Sequence, residues 1–167
     1  MSFFKRTYIQ DLNSFKNLVQ MFSDSKSNSY NYFPKDTEFI KFYSRSNCRI
    51  IEINREKSLN ALNHAMINSI SDALTFWNSS VECKSILILS SNYLQSKAFC
   101  AGGDIIDIYN KRGRLNDQLS LFQSEYALNH LIATFSKPII SLLNGFVSMD
   151  LFYISGWRSW IVDSWNV

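Results

Sequence analysis

A continuous apolar run, Ile-Leu-Ile-Leu at residues 86–89, constrains the fold of this chain more than any other feature. A strand with one solvent-exposed face alternates apolar with polar residues, whereas an unbroken apolar run is typical of a strand buried on both faces. Two further short runs, at residues 49–53 and 139–143, have the composition and polar flanks of strands. Strands of this kind predict a largely parallel sheet covered by helices, which is an α/β fold.

Apolar residues at helical spacing predict an amphipathic helix between each pair of neighbouring strands. The first helix begins near Ala65, with Asn60 or Asn63 as its cap, and ends near residues 78–80. Its apolar positions are Met66, Ile70, Ala73, Leu74 and Trp77. The second is predicted from Leu119, Phe122, Tyr126, Ala127, Leu131 and Ala133. Pro138 ends it, and the order strand, helix, strand, helix, strand predicts right-handed crossovers.

Two adjacent glycines, Gly102 and Gly103, lie in a predicted loop at residues 97–104 that leads into a short helix at residues 104–110. Glycine permits close backbone approach, and amides at a helix start have no internal partner, so they can bind negative charge such as a thioester oxyanion. The alternative is a tight turn in which Asp104 only caps the short helix. The segment is neither a dinucleotide-binding GxGxxG motif nor a P-loop.

Three segments together resemble the crotonase (enoyl-CoA hydratase/isomerase) superfamily, and most of all its 3-hydroxyisobutyryl-CoA hydrolase branch. They are NREKSLNALN at residues 54–63, KAFCAGGDI at residues 97–105 and SEYALNHLIATFSKPIISLLNGFV at residues 124–147. The resemblance covers roughly residues 39–147. It implies the α/β crotonase-type ββα spiral, truncated after the third core strand, with residues 37–147 as the amino-terminal part of the domain.

The same resemblance implies a site in which backbone groups do most of the work. The Gly103 amide would be the first oxyanion donor, the catalytic element of the chain. The residues implied to bind substrate are Ser58, Ala61, Ala101, Asp104 and Glu125. Glu125 matches a substrate-pocket glutamate of the hydrolases, and its alternative is a solvated helix face. Glu56 stands where the family usually has proline or a similar turn residue.

The resemblance implies a small acyl-CoA as the binding partner, with coenzyme A as part of the substrate and no separate cofactor. His64 and His130 have no partner spaced for a nucleophile or a metal, and Cys100 is interpreted as a packing residue. The three cysteines show no paired or metal-ligand spacing, which favours a reducing compartment. No metal site is predicted. A longer protein that contains this domain could form a homo-oligomer.

The formal net charge of +3 is too small to predict binding to nucleic acid or to a membrane surface. No apolar run reaches the ~20 residues that a membrane-spanning helix needs. Residues 1–36 are basic and rich in Ser and Asn, so they are either a mitochondrial targeting segment or a poorly ordered extension. We therefore expect a mitochondrial location, and otherwise a cytoplasmic one.

Residues 148–167 do not continue the resemblance, and we interpret them as an out-of-frame tail. With suitable synonymous codons, a shifted frame that starts at the last base of the Ser155 codon and runs through residues 156–166, preceded by one base of the Ser148 codon, encodes Met-Gly-Gly-Gly-Val-Gly-Leu-Ser-Ile-His-Gly. That peptide resembles the hydrolase segment that carries the second oxyanion donor. The hypothesis is a short retained intron, which sequencing of the transcript tests. A chain without that donor and without the acid/base carboxylates is expected to turn over very little substrate.

Two other functions stay open at this point. One is an enoyl-CoA hydratase or isomerase of the same fold, although residues 125–138 favour the hydrolase branch. The other is a non-catalytic homologue, such as a subunit of a larger assembly.

Overall fold

The computed structural model describes residues 6–8, 34–35, 37–93, 95–148 and 159–163. The proposed targeting segment and the proposed out-of-frame tail therefore lie mostly outside the described residues. The strands are β1 (Arg6–Tyr8), β2 (Ile40–Arg45), β3 (Cys48–Ile53), β4 (Ser85–Ser90), β5 (Ala98–Cys100), β6 (Ile139–Leu143), β7 (Phe146–Val147) and β8 (Ser159–Asp163). The helices are α1 (His64–Ser79), α2 (Ile105–Asn110) and α3 (Leu115–Ala133), with a 3₁₀ turn at Glu56–Ser58.

A mixed sheet with the order β1-β8-β6-β4-β3-β2 forms the centre of the molecule. The three strands predicted from apolar runs, β3, β4 and β6, are neighbours and run parallel, which confirms the α/β prediction. Strand β2 joins β3 as an antiparallel hairpin, so the chain enters its first helix through two strands, as a ββα unit does. Strand β8 pairs in parallel with β6 and with β1.

The predicted loop at residues 97–104 is in part a strand, and there the sequence prediction was wrong. Ala98–Cys100 forms β5, which pairs in parallel with β7. Two hydrogen bonds join the strands: the Phe146 amide donates to Lys97 O at 2.9 Å, and the Ser148 amide donates to Cys100 O at 2.9 Å. The partners are therefore nearly 50 positions apart in the sequence. A strand this short gains its stability from its partner, so local periodicity does not reveal it.

The core lies on both faces of the sheet. On one face α1 packs on the strands through Met66, Ile70, Ala73, Leu74 and Trp77, all of them buried as predicted. The Trp77 ring meets Phe42 of β2 edge to face, with ring centroids 5.7 Å apart. On the other face Leu87, Leu89 and Leu142 form a smaller cluster. Strand β4 is thus buried on both sides, as its unbroken apolar run predicts.

Both ends of α1 are capped by side chains. The Asn63 carboxamide oxygen accepts a hydrogen bond from the Met66 amide at 3.0 Å. Of the two candidate caps, Asn60 and Asn63, the cap is therefore Asn63. At the other end Lys137 Nζ donates to the carbonyl oxygens of Trp77 and Ser80. A cation at a helix carboxyl end also interacts favourably with the helix dipole. Lys137 therefore stabilises the carboxyl end of α1. Helix α3 already ends at Ala133, five positions before Pro138, the residue predicted to end it.

The buried face of α3 differs from the stripe used to predict this helix. Leu119, Phe122 and Tyr126 are exposed by 46, 38 and 69%. The buried residues are Leu121, Leu128 and Ile132, about one position away around the helix. Half-buried Ser124 and Glu125 share that inward face, so its polar content hid it from an analysis of apolar spacing. Among the described residues, no helix is both long enough and apolar enough to cross a membrane.

Candidate functional site

Two loops meet at the carboxyl ends of β3 and β5. Residues 55–62 follow β3 and include the 3₁₀ turn, and residues 101–104 follow β5. Three backbone hydrogen bonds join them: Ala101 N to Leu59 O at 3.0 Å, Leu62 N to Gly102 O at 2.8 Å, and Asp104 N to Leu62 O at 3.0 Å. The structure thus brings together Ser58, Ala61, Ala101, Gly103 and Asp104, the loop residues that the sequence assigned to one site.

Side chains of the first loop fix its shape. The Asn60 carboxamide accepts from the Arg55 amide at 2.8 Å and donates to Ala98 O at 2.8 Å. Asn60 is fully buried, and its φ of 58° is one that asparagine tolerates better than most residues. Glu56 accepts hydrogen bonds from Asn92 Nδ2 at 2.9 Å and from Ser91 Oγ at 3.3 Å. The residue that replaces the usual proline therefore anchors the turn to the end of β4.

The Gly103 amide points away from the loop at residues 55–62. In a trans peptide the C=O and N–H groups point in opposite directions, and the chain contains no cis peptide in its described part. Because Gly102 O accepts from Leu62, the N–H of Gly103 faces the other side. Within the described residues we find no hydrogen bond donated by that amide. A half-buried amide with this orientation can donate to an anion or a developing oxyanion.

Glu125 of α3 lies beside Gly103. A methyl group built on the Gly103 Cα atom would be 3.4 Å from Glu125 Oε2 and 3.5 Å from Oε1. The side chain is half-buried, so the interpretation as a solvated helix face does not describe its position. The Glu125 carboxylate thus lies beside the residue whose amide is the predicted donor. Their roles in binding or catalysis stay predictions.

His64 has a partner that the sequence did not reveal. Its Nε2 atom is 3.0 Å from Ser124 Oγ, and the two groups share a hydrogen bond between the start of α1 and the middle of α3. Sixty positions separate them along the chain, so no spacing rule connects them. The contact fixes α3 at the residue next to Glu125. His130, in contrast, is exposed, and Cys100 is fully buried.

Asp104 uses both of its carboxylate oxygens within the protein. Oδ1 accepts from the amides of Ile106 and Asp107 at 2.9 and 3.1 Å, which confirms the interpretation as a helix cap. Oδ2 is 2.6 Å from Nη1 of Arg55, a residue to which the sequence analysis gave no role. Burial disfavours the charged carboxylate, but the hydrogen bonds from Asp107 and Arg55 outweigh it, so the pKa of the Asp104 carboxyl lies below its ordinary value. Contact of Asp104 with substrate stays a prediction.

Acid should weaken this contact in a defined pH range. A lowered folded-state pKa means that ionised Asp104 stabilises the fold above the unfolded value of ~3.9, and that this stability is lost as the pH falls through the folded value. We expect Asp104→Asn, which keeps an oxygen for the helix cap, to unfold more easily by about 1–3 kcal/mol at pH 7. The difference should shrink below pH ~4. Urea unfolding at pH 7, 5 and 3 measures it, and a constant difference would contradict the assignment.

A comparison with protein families matches residues 48–149 to the enoyl-CoA hydratase/isomerase family. Among similar proteins, the small ribosomal subunit protein mS47 of Neurospora crassa is 36% identical over 114 residues, which are 66% of this chain and 22% of that protein. The mitochondrial 3-hydroxyisobutyryl-CoA hydrolase of Xenopus tropicalis is 37% identical over 118 residues, which are 69% of this chain and 29% of the hydrolase. The chain thus spans less than a third of the length of these relatives.

Solved structures give the same fold. A carnitinyl-CoA dehydratase from Mycobacterium thermoresistibile superimposes with a TM-score of 0.62 at 25% identity, over 66% of this chain and 32% of the dehydratase. An enoyl-CoA hydratase/isomerase from Marinobacter aquaeolei reaches a TM-score of 0.66 at 20% identity, over 76% of this chain and 49% of that protein. The α/β architecture around the two loops is therefore shared with larger acyl-CoA enzymes.

Proposed function

Since the chain belongs to the enoyl-CoA hydratase/isomerase family, we propose that it supplies the first part of the active site of an acyl-CoA thioester hydrolase. The proposed reaction converts 3-hydroxyisobutyryl-CoA and water to 3-hydroxyisobutyrate and coenzyme A, a step of valine degradation. The observation that carries it is the Gly103 amide, which is turned away from the loop at residues 55–62, in a residue that lies beside the Glu125 carboxylate. The hydrolase of Xenopus tropicalis, 37% identical, supports the choice of substrate and a mitochondrial location.

The roles of the residues follow from their chemistry. Attack of water on the thioester carbonyl moves negative charge to the oxygen, and the Gly103 N–H donates a hydrogen bond to it. The Glu125 carboxylate accepts hydrogen bonds only, so it suits the 3-hydroxyl group of the acyl chain. The backbone of the loop from Ser58 to Ala61, with Ala101, would contact the coenzyme A portion. The coenzyme is part of the substrate, and the proposal includes no other cofactor.

Hydrolysis also needs a second donor to the oxyanion and a group that activates water. We propose that these come from outside residues 37–148, in a protein as long as its relatives. One donor is typically worth ~10²–10³ in rate, so binding is the informative measurement on this chain and turnover should be very low.

Calorimetric titration of the chain with three compounds tests the proposal. We expect 3-hydroxyisobutyryl-CoA to bind at least about tenfold more tightly than coenzyme A, since loss of one charged hydrogen bond costs roughly this much. Isobutyryl-CoA, which lacks the hydroxyl, should lie between them. Glu125→Gln should remove the advantage of the hydroxyl compound. Glu82→Gln is the matched control, because Glu82 precedes β4 and so lies at the amino ends of the parallel strands β3 and β4, whereas the site lies at their carboxyl ends. Equal affinity for all three compounds would refute the proposal.

Two other functions remain as competing outcomes. The similarity to protein mS47, 36% identical in Neurospora crassa and 34% in Schizosaccharomyces pombe, favours a non-catalytic subunit of an assembly as the second candidate. Co-sedimentation of the chain with small ribosomal subunits, without acyl-CoA binding, would support it. A hydratase or isomerase would instead bind crotonyl-CoA at least as tightly as the hydroxyacyl compound.

A further inference from the structure

We infer that Arg55 is a positioning residue that sets the direction of the Gly103 amide by joining the two loops of the site. That the amide meets a thioester rests on the proposed function, whereas the joining of the loops rests on contacts alone. No other side chain in the described part of the chain bonds to both loops at once through one charged group.

Arg55 contacts both sides of the loop junction. Its Nη1 atom donates to Ala61 O at 2.9 Å and to Asp104 Oδ2 at 2.6 Å. Nη1 carries two hydrogens, so it can make both bonds at the same time. The guanidinium carbon lies 5.4 Å from the centroid of the Phe39 ring, which supports the group from the residue before β2. The side chain is 18% exposed and that of Asp104 is 7% exposed, so water competes little for either group.

The two bonds act directly on the peptide units around Gly103. Ala61 precedes Leu62, which bonds to Gly102 O and to the Asp104 amide, and Asp104 follows Gly103. Arg55 therefore holds the residues next to both partners of the Leu62–Gly103 bridge. If the loops separate, Gly102 O is released and the peptide that carries the Gly103 N–H can rotate. A displacement of about 1 Å at a reacting group can cost ~10²-fold in rate, so the orientation of this amide matters.

The planar guanidinium suits this position better than an ammonium group. It can stack on Phe39 while Nη1 donates to two oxygens in fixed directions, whereas lysine presents a compact and strongly hydrated charge. Arg55→Lys should therefore keep part of the attraction to Asp104 and lose the support from the ring. Arg55→Met keeps the apolar stem and removes the charge and both hydrogen bonds.

Amide hydrogen exchange, followed by NMR on the whole chain, tests the inference. In Arg55→Met we expect the amides of Leu62 and Asp104 to exchange at least about tenfold faster, because both donate across the loop junction. The amides of Leu74 in α1 and Ile88 in β4 should change less than about twofold, and Arg55→Lys should be intermediate. Unchanged exchange at Leu62 and Asp104, or equal acceleration at all four amides, would overturn the inference. If Arg55→Met does not fold, the same four exchange rates are compared between Arg55→Lys and the unmodified chain.

Binding separates this inference from the proposed function. Arg55→Met should lose about tenfold in affinity for 3-hydroxyisobutyryl-CoA, more than it loses for coenzyme A, which has no thioester carbonyl. If the unmodified chain does not distinguish the two compounds, the proposed function fails, while the exchange result still decides the role of Arg55. If it does distinguish them and Arg55→Met retains the full preference, the positioning role is wrong.

Discussion

Replacement of Gly145 by alanine is expected to destabilise the chain severely. A Cβ atom at this position would lie 2.2 Å from Lys97 O, 2.5 Å from Lys97 C and 3.0 Å from Ala98 N. All three are backbone atoms, and Lys97 O already accepts the Phe146 amide at 2.9 Å, so they have little freedom to withdraw. Gly145 also has a φ of +58°, which costs an alanine about 1–2 kcal/mol by itself.

The clash should cost more than the dihedral angle. To relieve it, β5 and β7 must separate, and their pairing positions the loop at residues 101–104. We expect a total loss of about 4–5 kcal/mol or more, in the range of the most severe single substitutions. Domains of this kind are stable by only ~5–15 kcal/mol, so a loss of this size removes a large part of the free energy of unfolding.

Gly113 provides the matched control. It has a φ of +82°, but a Cβ atom there would meet nothing within 4 Å. Gly113→Ala therefore tests the dihedral cost alone, and should lose about 1–2 kcal/mol. Urea unfolding followed by circular dichroism compares the two variants. Equal losses would show that the close approach of Gly145 to Lys97 does not matter.

The sequence predicts well those elements whose stability comes from their own residues. The strand at residues 86–89 and the helix with apolar residues from Met66 to Trp77 present patterns that only one environment satisfies, and both are where expected. The pairing of β5 with β7 was missed because both strands are short and each depends on the other. Gly145 illustrates the same limit. A side chain is excluded at this position because the backbone of Lys97, which is distant in sequence, lies against it.

The candidate site shows a similar division. Gly103 and Asp104 were identified because adjacent glycines and a helix cap have local signatures. Arg55 and the pair of His64 with Ser124 were missed because their partners lie 49 and 60 positions away and become neighbours only when the loops and helices pack. In α3 the apolar residues at helical spacing are partly exposed, so they indicated the wrong face. The inward face of that helix carries Glu125, and a polar residue that faces a site lowers the apolar signal used to find a buried face.

Gly103→Ala should have the opposite effect to Gly145→Ala: a folded chain that has lost its preference for the thioester. The three heavy atoms nearest to the added methyl group would all belong to Glu125, with Oε2 at 3.4 Å, Oε1 at 3.5 Å and Cδ at 3.7 Å. These are ordinary contacts with the end of a flexible side chain. Alanine also restricts the unfolded chain, which favours folding by about 0.4–1 kcal/mol where the backbone accepts it. We therefore expect stability to change by less than about 1 kcal/mol.

Alanine retains the backbone N–H of residue 103, but its methyl group would stand against the Glu125 carboxylate, where the thioester group is proposed to bind. For this chain we expect Gly103→Ala to bind coenzyme A within about twofold of the unmodified protein, because that portion contacts other loop residues. The additional affinity for 3-hydroxyisobutyryl-CoA should disappear.

Urea unfolding and calorimetric titration of both Gly103→Ala and Gly145→Ala show whether each glycine is needed for folding or for binding. If Gly103→Ala unfolds as readily as Gly145→Ala, Gly103 is required for folding, and a role of its amide in binding is not supported. If it folds and still prefers the thioester, the added methyl group does not reach the space in which the thioester binds, because alanine retains the N–H group. Only a variant that keeps its stability and loses this preference supports Gly103 as part of a thioester site, because the two measurements then separate the backbone that forms the loop from the group that the loop presents.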